Sequence, residues 1–457
     1  MTSSLTRQLS EVLGRPVDRV TRERAALHVL DWLGCAVIGA SEPAGRLLVS
    51  RAAALPRGSV TVIGGPNLGS PEEAAFINGG LGNILEMDDV HRTAILHPGP
   101  VAIPAALAAA EAAGAQGTAF LDAVVRGYEA EIRLGESLGP GHYAKWHNTA
   151  TCGPFGAAAA VADVLGLGPD EQVWALGNAA TQSSGPWRCR HEAVMTKQLH
   201  TARAAQAGYA AAALAALGFT GPDYMLEGEQ GFYDAMCPDP DPERLLANPT
   251  GDWKVWETSF KPWPACRHAH PAIDAALVLH AAHPGANIVS VRIETYGDAL
   301  KFCDTPAPTN THEAKFSLQH AVALTLADGP PGLDGFLPEA IARPDVTRLR
   351  NAATVVLNQT FDDAYPNHFG ARVAIGLSDG ATDSATVADA LGDPENPVSA
   401  EQIVAKARRL MAAGGASADP VDRIIAATLA LPDGGTLDAL SQALRELHSN
   451  VNEGIRT

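Results

Sequence analysis

The sequence has few aromatic residues, few charged residues and, above all, little positive charge. Of its 457 residues, 5% are aromatic and 18% are charged, and 33 Lys and Arg stand against 51 Asp and Glu, a formal net charge of −18. Because nucleic acids and anionic membranes are bound mainly through Lys and Arg, this balance disfavours both as partners. An acidic small molecule could bind only at a local cluster of cations. The length and the 46% of hydrophobic residues are sufficient for a large buried core.

Closely spaced cysteines and long apolar runs are also missing. The six cysteines are scattered, without the spacing of a zinc ribbon or a redox motif, which predicts reduced thiols. Residues 1–20 contain no continuous apolar segment of the kind that marks a secretory signal. The most apolar run, residues 204–219, is too short and too rich in Ala and Gly to span a bilayer. We therefore expect a cytoplasmic protein without membrane contact.

The common catalytic and cofactor motifs are absent too. There is no G-x-G-x-x-G dinucleotide motif, no P-loop and no G-x-S-x-G nucleophile elbow, which disfavours hydride transfer, phosphoryl transfer and serine hydrolysis. The pairs His91 with His97 and His268 with His270 leave a metal site open as an alternative. No His-Glu-x-x-His or Cys-x-x-Cys spacing supports that alternative, and we predict no cofactor and no metal.

The patterning of apolar residues predicts a mainly α-helical fold. Alanine-rich segments with helical periodicity fill the first half of the chain, and helices are predicted at residues 22–38, 104–113, 118–134, 156–165, 169–183 and 199–217. Apolar and polar residues alternate over 287–296, which indicates a strand, and 371–377 and 382–388 form a predicted hairpin. Helical patterns return at 401–411, 421–430 and 437–447.

These patterns predict two domains, of which the first is discontinuous. A large helical domain is expected over residues 1–270, and a smaller α+β domain over 271–398. The C-terminal tail, residues 399–457, is expected to complete the helical domain.

Four short segments concentrate ionisable side chains. Residues 86–99 contain three acids and two histidines, a pattern that fits a metal cradle, an acid–base loop or a solvated loop. Residues 146–156 place His147 just before a predicted helix, where the helix N-terminus favours an anion. Residues 195–203 contain Lys197, and residues 261–271 contain two cations and two histidines. Cations and histidines without a cofactor motif suit proton abstraction next to a carboxylate, because the developing charge needs nearby cations or donors.

Taken in order, these segments resemble the MmgE/PrpD family. The similar stretches are Asp88-Asp89-Val90-His91 with His97-Pro98-Gly99, His147 to Gly156, Lys197 with Leu199-His200, Lys261 to Ala275, and Ala314 to Gln319. The resemblance covers residues 5 to 450 and implies a large helical domain with a smaller, lid-like α+β domain, the site in the cleft between them, and a homodimer. It also implies cofactor-free chemistry on small di- or tricarboxylic acids.

The resemblance further implies roles for individual residues. Catalytic roles fall to His147, His97, Lys197, Lys261, Asp88 and His320, and substrate binding to Glu86, Asp89, His91, Arg267, His268 and Thr149. We expect His147 to transfer protons, His97 to be a second acid–base group, and the two lysines to bind carboxylates or stabilise charge. The chain departs from the family pattern at Val90, where threonine is common, at Glu86-Met87, and at His320, where tyrosine is expected.

The resulting hypothesis is a lyase that dehydrates or decarboxylates a methylcitrate- or aconitate-like acid. Epimerisation of a dicarboxylate such as iminodisuccinate, a non-catalytic binding relative and a metal hydrolase remain alternatives. Because the whole chain is acidic, the lyase hypothesis predicts an acidic shell around a small cationic pocket formed by Lys197, Lys261, Arg267 and histidines.

Overall fold

The computed structural model describes residues 3–66, 68–192 and 194–447. The chain is mainly helical with little strand, which confirms the predicted fold class. It divides into two compact units, one formed by residues up to Thr258 together with those from Ser399 onward, and one formed by residues 259–398. The predicted domain boundaries at 270 and 398 stay a prediction. None of the described helices combines the length and the apolar character needed to cross a bilayer.

The N-terminal part of the first unit is a succession of helices and two very short strands. The helices are α1 (Leu5–Leu13), α2 (Arg19–Ser41), α3 (Pro43–Ala53), α4 (Pro71–Leu81), α5 (Gly99–Ala113), α6 (Gly117–Glu136), α7 (Pro140–Tyr143), α8 (Asn148–Val164), α9 (Pro169–Ala180), α10 (Thr196–Ala216) and α11 (Phe232–Met236). The strands are β1 (Val90–His91) and β2 (Thr258–Ser259), and short 3₁₀ helices span Trp187–His191 and Lys254–Glu257.

Helix α8 lies at the centre of this unit and packs against α5, α6, α9 and α10. Small residues allow the close approach: a Cβ added to Gly153 on α8 would lie 2.9 Å from the Cβ of Ala204 on α10. A Cβ added to Gly127 on α6 would lie 3.0 Å from the carbonyl oxygen of Gly156 on α8. At this spacing larger side chains would force the helices apart, which explains the abundance of Ala and Gly.

The second unit contains a four-stranded sheet and its own buried core. Its helices are α12 (His270–Ala282), α13 (Gly297–Cys303), α14 (Thr311–Lys315), α15 (Leu318–Asp328), α16 (Pro338–Ile341), α17 (Pro344–Asn351) and α18 (Gln359–Ala364). Its strands are β3 (Ile288–Thr295), β4 (Ala353–Leu357), β5 (Ala371–Leu377) and β6 (Thr382–Val387), in the spatial order β4-β3-β5-β6.

Strand β3 pairs in parallel with β4 and antiparallel with β5, and its Ile293 lies opposite Val355 on one side and Val373 on the other. The predicted strand and the predicted hairpin are therefore present, whereas β4 had no alternation strong enough to predict it. Helix α12 packs on β5 and β6 and also contacts α15.

The C-terminal helices return to the first unit. They are α19 (Ala400–Ala413), α20 (Ala418–Ala430) and α21 (Leu437–Glu446). A capping box starts α19, because the Ser399 hydroxyl accepts from the Gln402 backbone while the Gln402 side chain accepts from the Ser399 backbone. Helix α19 then packs along α2, so the helical unit is discontinuous in sequence, as predicted.

Candidate active site

The loop between α4 and α5 carries five of the ionisable residues that the sequence singles out. Glu86, Asp88, Asp89 and His91 are each at most 9% exposed, and the His97 side chain is 13% exposed. The interpretation of this segment as a solvated loop is therefore wrong. Glu86 has a φ of 59°, a left-handed backbone that non-glycine residues adopt at a cost and that is enriched at functional sites.

His97 is held by hydrogen bonds on one side of its ring. Its Nδ1 lies 2.9 Å from Asp88 Oδ2 and 2.9 Å from the carbonyl oxygen of Asp89. Since both are acceptors, Nδ1 carries a proton and Nε2 is the nitrogen that can exchange one with an external group. Asn83 donates its amide to the same Asp88 oxygen at 2.8 Å, and the His97 backbone N–H donates to the Thr149 hydroxyl at 3.0 Å. The predicted contact of Thr149 with substrate stays a prediction.

Asp89 anchors the loop to three helices. Its Oδ1 accepts from the Gly99 backbone at the start of α5 at 2.9 Å, and its Oδ2 lies 2.6 Å from the Tyr128 hydroxyl of α6 and 2.7 Å from Nδ1 of His28 of α2. Burial raises the pKa of Asp89 to about 6, although the Tyr128 hydrogen bond opposes this rise. These internal contacts support a positioning role for Asp89, and its predicted contact with substrate stays a prediction.

His147 stands at the start of α8, as the sequence predicts. Its backbone N–H donates to the Gly185 carbonyl at 3.0 Å, and its ring packs against Trp187 with the ring centroids 4.3 Å apart. The ring is 2% exposed, and its centroid lies 6.5 Å from that of His97. Burial lowers the pKa of His147 well below its ordinary value, and the Lys197 ammonium and the neighbouring rings of His200 and His97 lower this pKa further. The ring is therefore neutral at pH 7.

His147 has a histidine partner from α10. The two Nδ1 atoms of His147 and His200 lie 3.1 Å apart. Burial, assisted by the charge of Lys197, lowers the pKa of His200 to about 4. Two neutral rings thus share one hydrogen bond, in which one Nδ1 donates and the other accepts.

Lys197 pairs with Glu86 across the loop and α10. Its Nζ lies 2.5 Å from Glu86 Oε1, and the two side chains are 19% and 11% exposed. The lysine is therefore already bound to a carboxylate of the protein. Any substrate carboxylate that binds this ammonium must share it with Glu86 or replace Glu86.

His91 belongs to a different group of charges. Its Nε2 lies 3.6 Å from Glu257 Oε2, and its Nδ1 accepts from the Ala94 backbone at 3.3 Å. Lys254 lies 3.0 Å from Glu136 and 2.9 Å from Glu257, so one ammonium group forms an ion pair with both acids and offsets part of their charge. Two groups of described residues have possible metal-ligand atoms within 4.8 Å of one another: His91 with Glu136 and Glu257, and His368 with Asp389 and Glu395. Neither group includes His97, His268 or His270.

The second unit contains the remaining predicted cations. Lys261 is 1% exposed, and Arg267 forms an ion pair with Asp393 and lies 3.1 Å, through Nη1, from Nδ1 of His270. Lys197 and Arg267, which the sequence predicts to line a cationic pocket, each have a carboxylate partner within the protein. The roles of Lys261 and Arg267 in the reaction stay predictions.

His268 and His320 are packed into the second unit. His268 is stacked on Phe302 at 5.2 Å and Phe369 at 5.3 Å, and its Nδ1 lies 2.8 Å from the Tyr296 hydroxyl. Burial lowers the pKa of His268 to about 4. Both ring nitrogens of His320 have protein partners: Nε2 donates to the Gly335 carbonyl at 2.9 Å, and Nδ1 lies 3.4 Å from a guanidinium nitrogen of Arg350. These contacts favour structural roles for both histidines, and their predicted parts in the site remain untested.

Comparison with protein families matches nearly the whole chain. The MmgE/PrpD N-terminal domain matches residues 5–245, and the MmgE/PrpD C-terminal domain matches residues 263–431. The chain belongs to the MmgE/PrpD family.

Individual relatives of this MmgE/PrpD chain cover most of its length. It is 28% identical over 442 residues to a cis-aconitate decarboxylase-like protein, oryM, of Aspergillus oryzae, with 90% of each chain covered. It is 27% identical to the cis-aconitate decarboxylase of Aspergillus terreus, over 90% of this chain and 89% of the relative. It is 29% identical to the human cis-aconitate decarboxylase, over 87% of this chain and 84% of the relative.

Two residues of the candidate site were not among those predicted from sequence. His200 lies three residues after Lys197, so both lie on one face of α10, and this spacing could have identified it. Trp187 begins the short 3₁₀ helix Trp187–His191, outside the predicted segments, and no sequence pattern connects it with His147. Its position depends on the backbone hydrogen bond from Trp187 to the Lys145 carbonyl at 2.9 Å.

Proposed function

We propose that this MmgE/PrpD protein is a lyase that removes CO₂ from a small tricarboxylic acid of the cis-aconitate kind. The names of relatives that cover most of the chain support the decarboxylase activity. The observation that supports this chemistry is the pair of His97 and His147, whose ring centroids lie 6.5 Å apart. Asp88 accepts a hydrogen bond from Nδ1 of His97, which leaves Nε2 available for proton transfer.

Such a decarboxylation needs one proton at carbon. The bond between the leaving carboxylate and its carbon breaks, and that electron pair forms a new double bond while the former alkene carbon takes up a proton. Protonated His97 can deliver this proton from Nε2, because the Asp88 carboxylate at Nδ1 holds the ring and stabilises its charged form. The neutral His97 then regains a proton from water.

The remaining carboxylates of the substrate need positive partners. His147 stands at the N-terminus of α8, a helix of 17 residues whose dipole favours an anion there. The Lys197 ammonium lowers the pKa of both His147 and His200. It therefore lies close enough to interact with a carboxylate bound next to His147. We assign these groups to carboxylate binding and His97 to proton delivery.

Purified protein incubated with cis-aconitate, methylcitrate and citrate tests this proposal, with CO₂ release and product NMR as readouts. We expect one CO₂ for each cis-aconitate consumed. His97→Asn should lower kcat by about 10² to 10⁴, because the proton donor is lost. His147→Asn should lower kcat/KM mainly through a higher KM, because a carboxylate-binding group is lost. His283→Asn, which changes a partly exposed histidine of the second unit, is the matched control and should keep full activity.

The outcomes separate the alternatives. Alkene formation from methylcitrate or citrate without CO₂ would indicate a dehydratase. Solvent deuterium in recovered substrate without net elimination would indicate an epimerase. Absence of turnover on all three acids would contradict the lyase proposal and favour a binding relative.

A further inference from the structure

His200 contacts the ring of His147 directly, through Nδ1 of each ring. The two Nδ1 atoms are 3.1 Å apart, and His200 is 8% exposed. Among the described residues none hydrogen-bonds to Nε2 of either His97 or His147. The hydrogen bond at Nδ1 therefore decides whether Nε2 of His147 carries a proton.

The surroundings of the pair keep both rings neutral. Burial is the main cause, and the charged or titratable groups that act on His147 are Lys197 and His200 from α10 and His97 from the loop. Lys197 is also the charge that acts on His200. A neutral imidazole has one donor and one acceptor nitrogen, so His147 has two possible tautomers with opposite functions at Nε2.

The geometry around the pair leaves the rings little freedom. The rings of Trp187 and His147 have centroids 4.3 Å apart and are tilted by 35° to each other. Gly185 has a φ of 109°, and a Cβ there would lie 2.5 Å from the Cβ of Ala150 and 3.5 Å from two ring carbons of His200. The same Gly185 accepts the backbone hydrogen bond of His147. A glycine at this position lets the loop pass close over both histidines.

We propose that His200 is a positioning residue that donates its Nδ1 proton to Nδ1 of His147 and so fixes the tautomer in which His147 carries a proton on Nε2. His147 is then a neutral hydrogen-bond donor to a substrate carboxylate, not a base. This assignment rests on the proposed function in one respect: an anionic ligand next to Nε2 requires a donor there. It also separates the two histidines, because His97 with its carboxylate partner delivers the proton and His147 next to Lys197 holds the substrate.

The tautomer can be measured without turnover, by ¹⁵N NMR of histidine-labelled protein. We expect His147 in wild type to be protonated at Nε2 alone. In His200→Asn the side-chain amide can still donate from nearly the same place, so the tautomer should be retained. In His200→Leu the donor is lost, and the signals should shift toward a mixture of tautomers. Wild-type His147 protonated at Nδ1, or an unchanged tautomer in His200→Leu, would overturn the proposal.

Activity and binding provide the second readout. His200→Leu should lower kcat/KM for cis-aconitate by about 10- to 100-fold, and His200→Asn should stay within about fivefold of wild type. Binding of tricarballylate, an unreactive tricarboxylate, should weaken in parallel. Gln206→Leu, a polar-to-apolar change on the same helix, is the control for folding and should leave both unchanged. If no acid is turned over but the tautomer and tricarballylate binding depend on His200 as expected, the lyase fails while the positioning role stands. Equal kcat/KM in His200→Leu and wild type would refute that role.

Discussion

Asp88→Asn is the substitution that tests most directly how the candidate site works. Asp88 is 1% exposed, and its Oδ2 accepts from both His97 Nδ1 at 2.9 Å and Asn83 at 2.8 Å. Asparagine can keep its carbonyl oxygen at that place, so the shape of the loop should be retained. The negative charge that stabilises protonated His97 is lost.

The structure also sets the size of the expected effect. The carbonyl oxygen of Asp89 still accepts from His97 Nδ1 at 2.9 Å, so the ring keeps the correct tautomer and only the charge stabilisation disappears. A tautomer change in a catalytic triad costs about 10⁴ in kcat, so we expect a smaller loss of about 100-fold, or ~3 kcal/mol in the barrier. The KM should change little, because Asp88 does not contact substrate in the proposed arrangement.

The assay is steady-state CO₂ release from cis-aconitate between pH 5 and 9, together with thermal unfolding of the same samples. Asp252→Asn removes a charge at an exposed position and is the matched control. Activity of Asp88→Asn within about threefold of wild type, in a protein with the same unfolding temperature, would refute proton delivery by a carboxylate-supported His97.

Three further predictions concern buried ionisable groups. The folded-state pKa of His200 is lowered to about 4, so between pH 4 and 6.5 the unfolded chain binds more protons than the folded chain, and stability falls as the pH drops through this range. His200→Asn should remove up to about 2 kcal/mol of this loss of stability at pH 5, as measured by denaturant unfolding at pH 5 and 7.5. Lys197→Met removes the cation that pairs with the largely buried Glu86 carboxylate, which would then repel an anionic ligand. Calorimetry should show tricarballylate binding weakened by about 10- to 100-fold, with partial recovery in the double variant that also carries Glu86→Gln. Burial raises the pKa of the fully buried Glu131 well above its ordinary value. As the pH rises above that ordinary value, the unfolded chain loses this proton before the folded chain does, and the stability of the wild type falls. Glu131→Gln should therefore raise the unfolding temperature more at pH 8 than at pH 5.

Each of these predictions can fail in a defined way. An equal pH dependence of stability in wild type and His200→Asn would show that this histidine does not stay neutral on folding. Unchanged tricarballylate affinity in Lys197→Met would remove Lys197 from carboxylate binding. A lower unfolding temperature of Glu131→Gln at both pH values would show that the buried carboxyl makes favourable contacts.

The helical periodicity and the strand alternation determined the fold class. Apolar side chains must face a core, and the spacing of 3.6 or 2 residues that achieves this can be read directly from the chain. Helix α8 begins at Asn148, earlier than the predicted start at 156. The polar stretch after His147 is buried against α6 and α10, so tertiary packing decides where this helix begins. Strand β4 escaped prediction, since its pairing with β3 stabilises it more than any alternation of its own.

The sequence by itself also determined that His97, His147, Lys197 and the acids of the 86–99 loop are candidate site residues, because ionisable residues are rare in this chain and cluster in those segments. Only the tertiary structure decided which of them are in contact. Asp88 accepts a hydrogen bond from His97, whereas Asp89 accepts hydrogen bonds from neighbouring helices. His91 lies next to Glu257, which pairs with Lys254, and Arg267 forms an ion pair with Asp393. Lys197 and Arg267 thus have carboxylate partners within the protein itself. The expected homodimer, the cytoplasmic location and the roles of Lys261 and His320 stay predictions. The physical reason is that a side chain's charge and tautomer depend on neighbours within a few ångströms, and folding brings these together from distant parts of the chain.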